Sequence, residues 1–258
     1  MVALCIGLLA TNRFPADVVM VGGLTLLLLA GVLTPVAALS AFLNNTPVVA
    51  MFIPAVQDWA RRHNLAVSHL MLPLSYAAIA GGTCTLIGTS TNLVVNGLLL
   101  KETELSGLGF FDIAWVGIPT LILTIAFTVL FGRRLLPERQ SVMSRMADAR
   151  EYTVEMLVEA DSPLDGKSIR AGRFRTLYQA AIIAVAAASR LDVSVMPFAI
   201  VIMKAASASF ATPLGYQTNL MVMGPGGYTF SDYFRLGIPL TVLTGVLTVL
   251  IAPLVWPF

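Results

Sequence analysis

Apolar residues run through this chain in long blocks that are separated by short polar or glycine-rich stretches. The clearest blocks are Val18 to Val32, Ile113 to Phe131 and Leu236 to Val255. Each block approaches or reaches the roughly 20 residues that a helix needs to span a bilayer. Composition agrees, because 57% of the 258 residues are apolar and 12% are charged, whereas about a quarter of the residues in a soluble domain are charged. The sequence therefore predicts an all-α membrane protein.

Charged residues concentrate in one segment, because more than half of the Asp, Glu, Lys and Arg side chains lie between Arg133 and Arg175. We predict that this segment, residues 133–175, is a linker outside the membrane. It separates a first membrane repeat, residues 1–132, from a second one, residues 176–258. Arginines follow the preceding span directly. The positive-inside rule therefore places the linker in the cytoplasm. We expect an integral protein of the cell (inner) membrane.

Composition and motifs argue against two broad classes of function. The formal net charge of +2 is too small for a nucleic-acid-binding surface, and no basic stripe is interleaved with aromatic residues. The sequence shows no pairing of a nucleophile with a base, no phosphate-binding loop and no cluster of metal ligands. We therefore expect neither a nucleic-acid partner nor an enzyme.

The two membrane halves repeat one another. The segment TLIGTSTNLV, which begins at Thr85, aligns with TPLGYQTNLM, which begins at Thr212. Farther on, FDIAWVGIPT aligns with SDYFRLGIPL, which pairs Gly117 with Gly237. Internal repeats with glycine-interrupted apolar segments point to the binding site of a secondary transporter. An odd number of membrane crossings between the copies would make them inverted, and the pattern alone leaves their orientation open.

Both copies carry glycine and hydroxyl residues where a membrane helix would otherwise continue. The first, GGTCTLIGTSTN, contains Gly82 and Gly88, and glycine and β-branched residues are poor helix formers. We therefore predict a helix that is broken in the middle. Carbonyls freed at the break would coordinate a sodium ion, and the N-terminus of the following half-helix would attract an anion. The alternative is that these small residues only pack helices together.

Another polar interruption precedes the broken helix, in the segment AFLNNTPVVAMFIP. It places Asn44, Asn45 and Thr46 directly before Pro47, within apolar surroundings. Since proline is tolerated in the first turn of a helix, we interpret the segment as the tip of a re-entrant hairpin. An asparagine offers a carbonyl to a cation and an amide to an anion. The alternative, a polar contact between two membrane helices, is worth about 1 kcal/mol.

These motifs together resemble one transporter family. The segments FLNNTPVVAMFIP, GGTCTLIGTSTN and ASASFATPLGYQTNLMVMGPGGY are similar to those of the divalent anion:sodium symporters, the citrate-transporter-like (SLC13-like) permeases of the ion transporter superfamily. The segment REYTVEMLVEADSPLDGKSI resembles the opening of the cytoplasmic TrkA C-terminal (TrkA-C) domain that one branch carries between its halves. The resemblance implies an inverted-repeat secondary transporter in the lipid bilayer, with re-entrant hairpins, broken helices, an elevator-like motion and a homodimeric state. It implies cotransport of sodium with sulfate or a di- or tricarboxylate, and no cofactor besides sodium as the coupling ion.

The resemblance also assigns candidate binding residues. In the first repeat they are the hairpin and broken-helix residues Asn44, Asn45, Thr46, Gly82, Thr85, Gly88, Thr89 and Asn92. In the second repeat they are the broken-helix residues Ala211, Thr212, Pro213 and Asn219. The candidate sodium ligands within this set are Asn44, Asn45, Gly82 and Ala211.

The chain departs from the family pattern in three ways. It is shorter than complete members, and the position expected for a second hairpin signature falls on Arg170 to Gly172, in the charged linker. The second repeat is therefore incomplete. In addition, Lys204 lies in FAIVIMKAASAS, where a transport helix would carry neutral residues. A charge within a membrane is a functional candidate, and the alternatives are that its side chain snorkels to the surface or that the segment is displaced.

Four other polar residues receive simpler expectations. His63 and His69 flank a polar turn, so we expect them in loops or at the membrane interface. Asp112 and Asp232 precede predicted spans, where they would cap helices.

Two other hypotheses stay open beside sodium-coupled uptake. Antiport or efflux would be favoured by intramembrane acidic residues, and none is visible in either repeat. A non-transporting membrane fragment predicts that sodium and anion do not stabilise the fold, whereas a working site would stabilise it by mass action.

Overall fold

The computed structural model of the protein describes residues 31–138, except 32, 64 and 104–106, together with residues 188 and 193–257. The described residues form eight α-helices and no β-strand. In chain order the helices are α1 (Leu33–Phe42), α2 (Asn45–Arg62), α3 (Ser68–Gly82), α4 (Ser90–Glu102), α5 (Ala114–Leu135), α6 (Met196–Ser207), α7 (Gln217–Gly226) and α8 (Phe230–Val255). For this part of the chain, the prediction of an all-helical protein is confirmed.

Two of the described helices, α5 and α8, are long and apolar enough to cross a membrane. They contain 22 and 26 residues, and at about 1.5 Å per residue each is long enough for a hydrocarbon core of about 30 Å. They coincide with the apolar blocks that begin at Ile113 and Leu236. Helix α5 continues to Leu135 and so includes the first arginines of the charged segment. The block Val18 to Val32, apart from Gly31, and the charged linker after residue 138 lie outside the described residues.

Helix α3 lies at the centre of the described helices, since all 15 of its residues are buried. Helices α2, α5 and α7 pack against it. Small residues allow α1 to approach the backbone of α3 closely, because a Cβ atom on Gly81 would lie only 2.6 Å from the Cα atom of Ala37. The apolar and small residues of this segment therefore produce a buried central helix rather than a lipid-facing one.

The two predicted helix breaks are confirmed. Helix α3 ends at Gly82 and α4 begins at Ser90. Helix α6 ends at Ser207 and α7 begins at Gln217. The residues immediately before α4 and α7, Thr89 and Tyr216, have extended backbone conformations. Each glycine- and hydroxyl-rich segment thus separates two half-helices, and we refer to residues 83–89 as the first break and residues 208–216 as the second break.

The repeated sequence makes repeated contacts. The side-chain amide of Asn92 donates to the carbonyl of Thr85 at 2.9 Å, and that of Asn219 donates to the carbonyl of Thr212 at 3.0 Å. The alignment that pairs Thr85 with Thr212 also pairs Asn92 with Asn219. In each repeat an asparagine at the start of the second half-helix therefore holds the backbone of the preceding break.

A glycine of each long helix packs on the corresponding break. A Cβ atom on Gly117 in α5 would lie 2.7 Å from the Cα atom of Cys84, and a Cβ atom on Gly237 in α8 would lie 2.7 Å from the Cα atom of Ala211. Cys84 and Ala211 each stand directly before the aligned threonines of the two repeats, so they are equivalent positions. Only glycine allows backbones to approach this closely, so each repeat uses one glycine to seat its break against its long helix.

The half-helices pack crosswise between the repeats. Helix α3, which precedes the first break, packs against α7, which follows the second break. Helix α4, which follows the first break, packs against α6, which precedes the second. The long helices α5 and α8 pack against each other. The two breaks are consequently part of one interlocked body rather than of two separate halves.

The structure bears on three expectations about polar residues outside the breaks. His69 is the second residue of helix α3 rather than part of a loop, and its Nε2 atom is 3.3 Å from the carbonyl oxygen of Leu136; the interfacial position expected as the alternative stays a prediction. Asp112 does not cap α5, because its carboxylate accepts from the amide of Gly109 at 2.6 Å and closes the turn before that helix. Asp232 does cap α8, through reciprocal hydrogen bonds with Thr229.

Candidate functional site

The polar tip between α1 and α2 places its two asparagines in different surroundings. Asn44 is exposed and is the N-cap of α2, where its side-chain oxygen accepts from the amide of Thr46 at 3.3 Å. Asn45 is the first residue of α2 and is completely buried. Pro47 lies in the first turn of α2, where its missing N–H removes no hydrogen bond. The hairpin tip therefore presents Asn45, rather than Asn44, to the interior of the protein.

The carbonyl oxygen of Asn45 has no hydrogen-bond donor among the described residues, although it is buried. Its amide nitrogen donates to the hydroxyl of Tyr216 at 2.8 Å, which fixes the orientation of the side chain. The oxygen lies beside Gly82, because a Cβ atom on that glycine would be 2.6 Å from it. A buried polar atom without a partner costs about 1–3 kcal/mol and calls for an explanation. A cation that is coordinated by this side-chain oxygen would supply one.

The first break is folded tightly beside this oxygen. A Cβ atom on Gly82 would also lie 3.0 Å from the methyl group of Thr89, and one on Gly88 would lie 2.9 Å from the carbonyl carbon of Gly82. Thr85 donates its hydroxyl to the carbonyl of Ala41, at the end of α1. The structure therefore brings the predicted residues of the first repeat together with the hairpin.

Asn92 has a second unpartnered oxygen. Its amide nitrogen holds the carbonyl of Thr85, and its side-chain oxygen is buried without a hydrogen-bond donor among the described residues. Its backbone amide donates to the hydroxyl of Thr89 at 3.4 Å, and this hydroxyl is 3.5 Å from that of Ser207 at the end of α6. Polar groups from both repeats thus meet at the start of α4.

At the second break, the polar side chains of Thr212 and Asn219 have hydrogen-bond partners. The hydroxyl of Thr212 accepts from the amide of Gly215 at 3.0 Å. The amide nitrogen of Asn219 donates to the carbonyl of Ser209 at 2.7 Å, and its oxygen accepts from the hydroxyl of Ser75 at 2.7 Å. Ala211 and Pro213 lie in the same break, which meets α8 at Ala211. The contacts that join the second break to the hairpin come from its last residue, Tyr216, and from the adjoining Gln217, whose oxygen is 3.1 Å from the hydroxyl of Thr46.

Tyr216 is a residue that sequence reasoning missed. The repeat offered a signal for it, since Tyr216 aligns with Thr89 when the two broken-helix segments are superposed. Both residues precede the second half-helix of their repeat. Its role was not visible in the motif, because the partner of its hydroxyl, Asn45, is 171 positions away in the chain.

Three helix N-termini meet at this site, and one helix C-terminus faces them. Asn45 begins α2, Thr89 precedes α4, and Tyr216 precedes α7. Gly82 ends α3. Helix N-termini favour anions and helix C-termini favour cations. The site can therefore hold a cation at the asparagine and backbone oxygens, next to an anion at the amide ends of the helices.

We expect Tyr216→Phe to weaken the binding of a cation at the oxygen of Asn45 while leaving the fold intact. The substitution removes only the hydroxyl that orients the amide of Asn45, and one hydrogen bond is worth about 1 kcal/mol, which corresponds to a roughly fivefold loss of cation affinity. The measurement is the sodium dependence of the melting temperature. The control is Tyr76→Phe, which removes a buried hydroxyl bonded to the carbonyl of Phe210 instead of to Asn45, so the sodium dependence should stay unchanged. An equal loss in both variants would contradict a positioning role for Tyr216.

Two interlocked broken helices and a hairpin tip, packed with helices long enough to cross a bilayer, are an arrangement of secondary transporters. Comparison with known families agrees with this class. A family model described as citrate transporter matches residues 18–171. The match covers more than half of the chain, and the protein belongs to the citrate transporter family.

Several curated relatives are transporters. Sodium/sulfate cotransporter 1 of Chlamydomonas reinhardtii is 46% identical over 113 residues, which are 42% of this chain and 13% of the relative. Uncharacterized transporter sll0640 of Synechocystis sp. is 39% identical over 135 residues, 51% of this chain and 22% of the relative. Uncharacterized transporter YfbS of Escherichia coli is 35% identical over 162 residues, 58% of this chain and 26% of the relative. The chain thus spans about a quarter or less of the length of these relatives, and no solved structure matches it.

Proposed function

We propose that this protein is a secondary transporter that couples the uptake of an oxyanion, sulfate or a di- or tricarboxylate, to sodium. The observation that carries the proposal is the buried carbonyl oxygen of Asn45 beside Gly82, which has no hydrogen-bond donor among the described residues. Membership of the citrate transporter family and similarity to a sodium/sulfate cotransporter support the same function.

Sodium binds to oxygen atoms at the hairpin and at the first break. Asn45 contributes its side-chain carbonyl, and the end of α3 contributes the backbone carbonyl of Gly82, since those of Ala80 and Gly81 already accept from the amides of Thr83 and Cys84. The hairpin signature also predicts Asn44 as a ligand, but its exposed side chain caps α2, so we assign the side-chain ligand to Asn45. Ala211 is the ligand proposed in the second break. A neutral oxygen cage of this kind suits a monovalent hard cation, since it offers charge density without a carboxylate.

The anion lies next to the sodium ion, at the amide ends of α2, α4 and α7. Hydroxyls of Thr46 and Thr89, and the second-repeat residues Thr212, Pro213 and Asn219, form its surroundings. Thr85, Gly88 and Asn92 hold the first break in shape around it. Because sodium neutralises part of the charge of the anion, each ligand raises the affinity for the other, which is the basis of coupling.

The crosswise packing of the half-helices supports an inverted repeat. If the two broken helices run in opposite directions, α3 should contact α7 and α4 should contact α6, and these contacts are present. Parallel broken helices would instead bring α3 against α6. Inverted repeats are therefore part of the proposal, and the elevator-like motion, the homodimer and the TrkA-C-like linker that the family resemblance implies are proposed with them. Cross-linking of single-cysteine variants in native membranes tests the dimer.

Uptake into proteoliposomes tests the proposal. Vesicles that contain the full chain should accumulate radiolabelled sulfate or citrate under an inward sodium gradient. This accumulation should cease when potassium replaces sodium. Protein-free vesicles are the control. Uptake of equal size under either cation gradient would rule out sodium coupling.

A further inference from the structure

A cavity lies between helices α3, α5, α6 and α8. It has a volume of about 230 Å³ and is lined in part by Thr83 of the first break and by Ala208 and Phe210 of the second, but by no residue of the hairpin. One lysine and six threonines line it, and the other lining residues are alanine, glycine or larger apolar residues. The threonines are Thr83, Thr120, Thr124, Thr241, Thr244 and Thr248. The cavity therefore combines a largely apolar wall with one cationic group.

Lys204 is that cationic group, and it does not snorkel to the surface. Only 5% of its surface is exposed. Its ammonium group donates to the hydroxyl of Thr83 at 2.5 Å and to the hydroxyl of Thr120 at 2.7 Å. An ammonium group has three N–H donors, so these two contacts leave one donor for a ligand.

The charge of Lys204 is not balanced by a carboxylate in the described part of the chain. The ion pair found there joins Arg62 and Asp58 on the exposed end of α2. An unpaired buried charge costs several kcal/mol, and two neutral hydroxyls recover only part of that cost. A negatively charged ligand in the cavity would supply the missing counter-charge.

The threonine hydroxyls can turn towards such a ligand at little cost. Those of Thr124, Thr244 and Thr248 donate to the carbonyl four residues earlier, at 2.8, 2.8 and 2.7 Å. Those carbonyls already accept the helical N–H bond, so a hydroxyl that rotates away leaves no backbone group unsatisfied. Hydroxyls on two walls of the cavity are thus available as additional donors.

We propose that this cavity binds a monovalent organic anion, whose carboxylate pairs with Lys204 and whose short apolar body contacts Ile79, Val201 and Phe210. A single lysine matches a single negative charge, and the apolar wall favours an alkyl chain over a fully hydrated divalent oxyanion. The volume exceeds that of several water molecules at about 30 Å³ each. Ala205, Gly245 and Val249 line the cavity and are exposed, which gives the ligand an entrance.

Thermal melting of the full chain in sodium-free buffer tests this site. Potassium butyrate should raise the melting temperature more than potassium sulfate or chloride at equal ionic strength. Lys204→Met keeps the length of the side chain without its charge, and it should weaken butyrate binding at least about tenfold. Asn45→Ala should leave the effect of butyrate on the melting temperature unchanged. The butyrate test can therefore fail or succeed independently of the proposed sodium site.

A second variant guards against misfolding of the first. Thr244→Val keeps the volume of the side chain and removes one hydroxyl on the wall formed by α8, so it should weaken butyrate binding in a folded protein. Three results would overturn the proposal: no effect of butyrate on the unmodified chain, an equal effect on Lys204→Met, or a larger effect of sulfate or chloride. Each would leave Lys204 as a structural contact between α6 and its neighbours.

Discussion

Asn45→Ala is expected to abolish the response of this protein to sodium. The substitution removes the buried oxygen that has no hydrogen-bond donor among the described residues, and with it the side-chain ligand proposed for the ion. A ligand present at about 100 times its dissociation constant stabilises a fold by about 2.7 kcal/mol. We expect this stabilisation, measured as the rise in melting temperature on adding sodium with sulfate, to disappear. Sodium-driven uptake should fall to the level of protein-free vesicles.

The neighbouring asparagine provides a matched control. Asn44→Ala removes an exposed helix cap, which costs about 1 kcal/mol of stability, and we expect the sodium response to remain. Asn44→Ser should restore the lost stability, because serine also caps helices. If Asn44→Ala and Asn45→Ala lost the sodium response equally, both asparagines would be ligands, as the hairpin signature predicts.

Gly237→Ala is expected to have the largest effect on folding. The new Cβ atom would lie 2.5 Å from the carbonyl carbon of Phe210 and 2.7 Å from the Cα atom of Ala211. These are backbone atoms, which cannot rotate away as a side chain can. Overpacking of a core typically costs 1–3 kcal/mol, and we expect about 3 kcal/mol here. The measurement is the melting temperature and the yield of monodisperse protein in detergent.

Gly245→Ala, on the same helix, is the control for this effect. No heavy atom outside its own helix would lie within 4 Å of the new Cβ atom, and alanine is the better helix former, so the substitution should not lower the melting temperature. Gly117→Ala should resemble Gly237→Ala, since it meets Cys84 at the equivalent distance of 2.7 Å. If Gly237→Ala had the same melting temperature as Gly245→Ala, α8 would not approach the second break as closely as it does in the structure.

Local sequence predicted the features that depend on local physics. Long apolar blocks indicated the spans that became α5 and α8, because hydrophobic length is a property of neighbouring residues. Glycine and β-branched residues indicated both helix breaks, because they disfavour the helix where they stand. The duplicated motif indicated equivalent positions, and Asn92 and Asn219 do make equivalent contacts with their breaks.

The environment of each polar side chain could not be read from the same motifs. Asn44 and Asn45 are adjacent and chemically identical, yet one is exposed and the other is completely buried. The direction in which α2 leaves the hairpin decides between them, and that direction depends on how α2 packs against α3 and α7.

Sequence alone therefore determined that the chain is helical, apolar, duplicated and interrupted at two breaks, since each of these properties arises from residues close together in the chain. Tertiary structure alone decided that Tyr216 orients Asn45 and that Lys204 reaches Thr83 and Thr120. Those contacts join residues that are 84 to 171 positions apart. They form only when the half-helices of the two repeats cross, because crossing brings distant polar groups into one buried volume where each must find a partner.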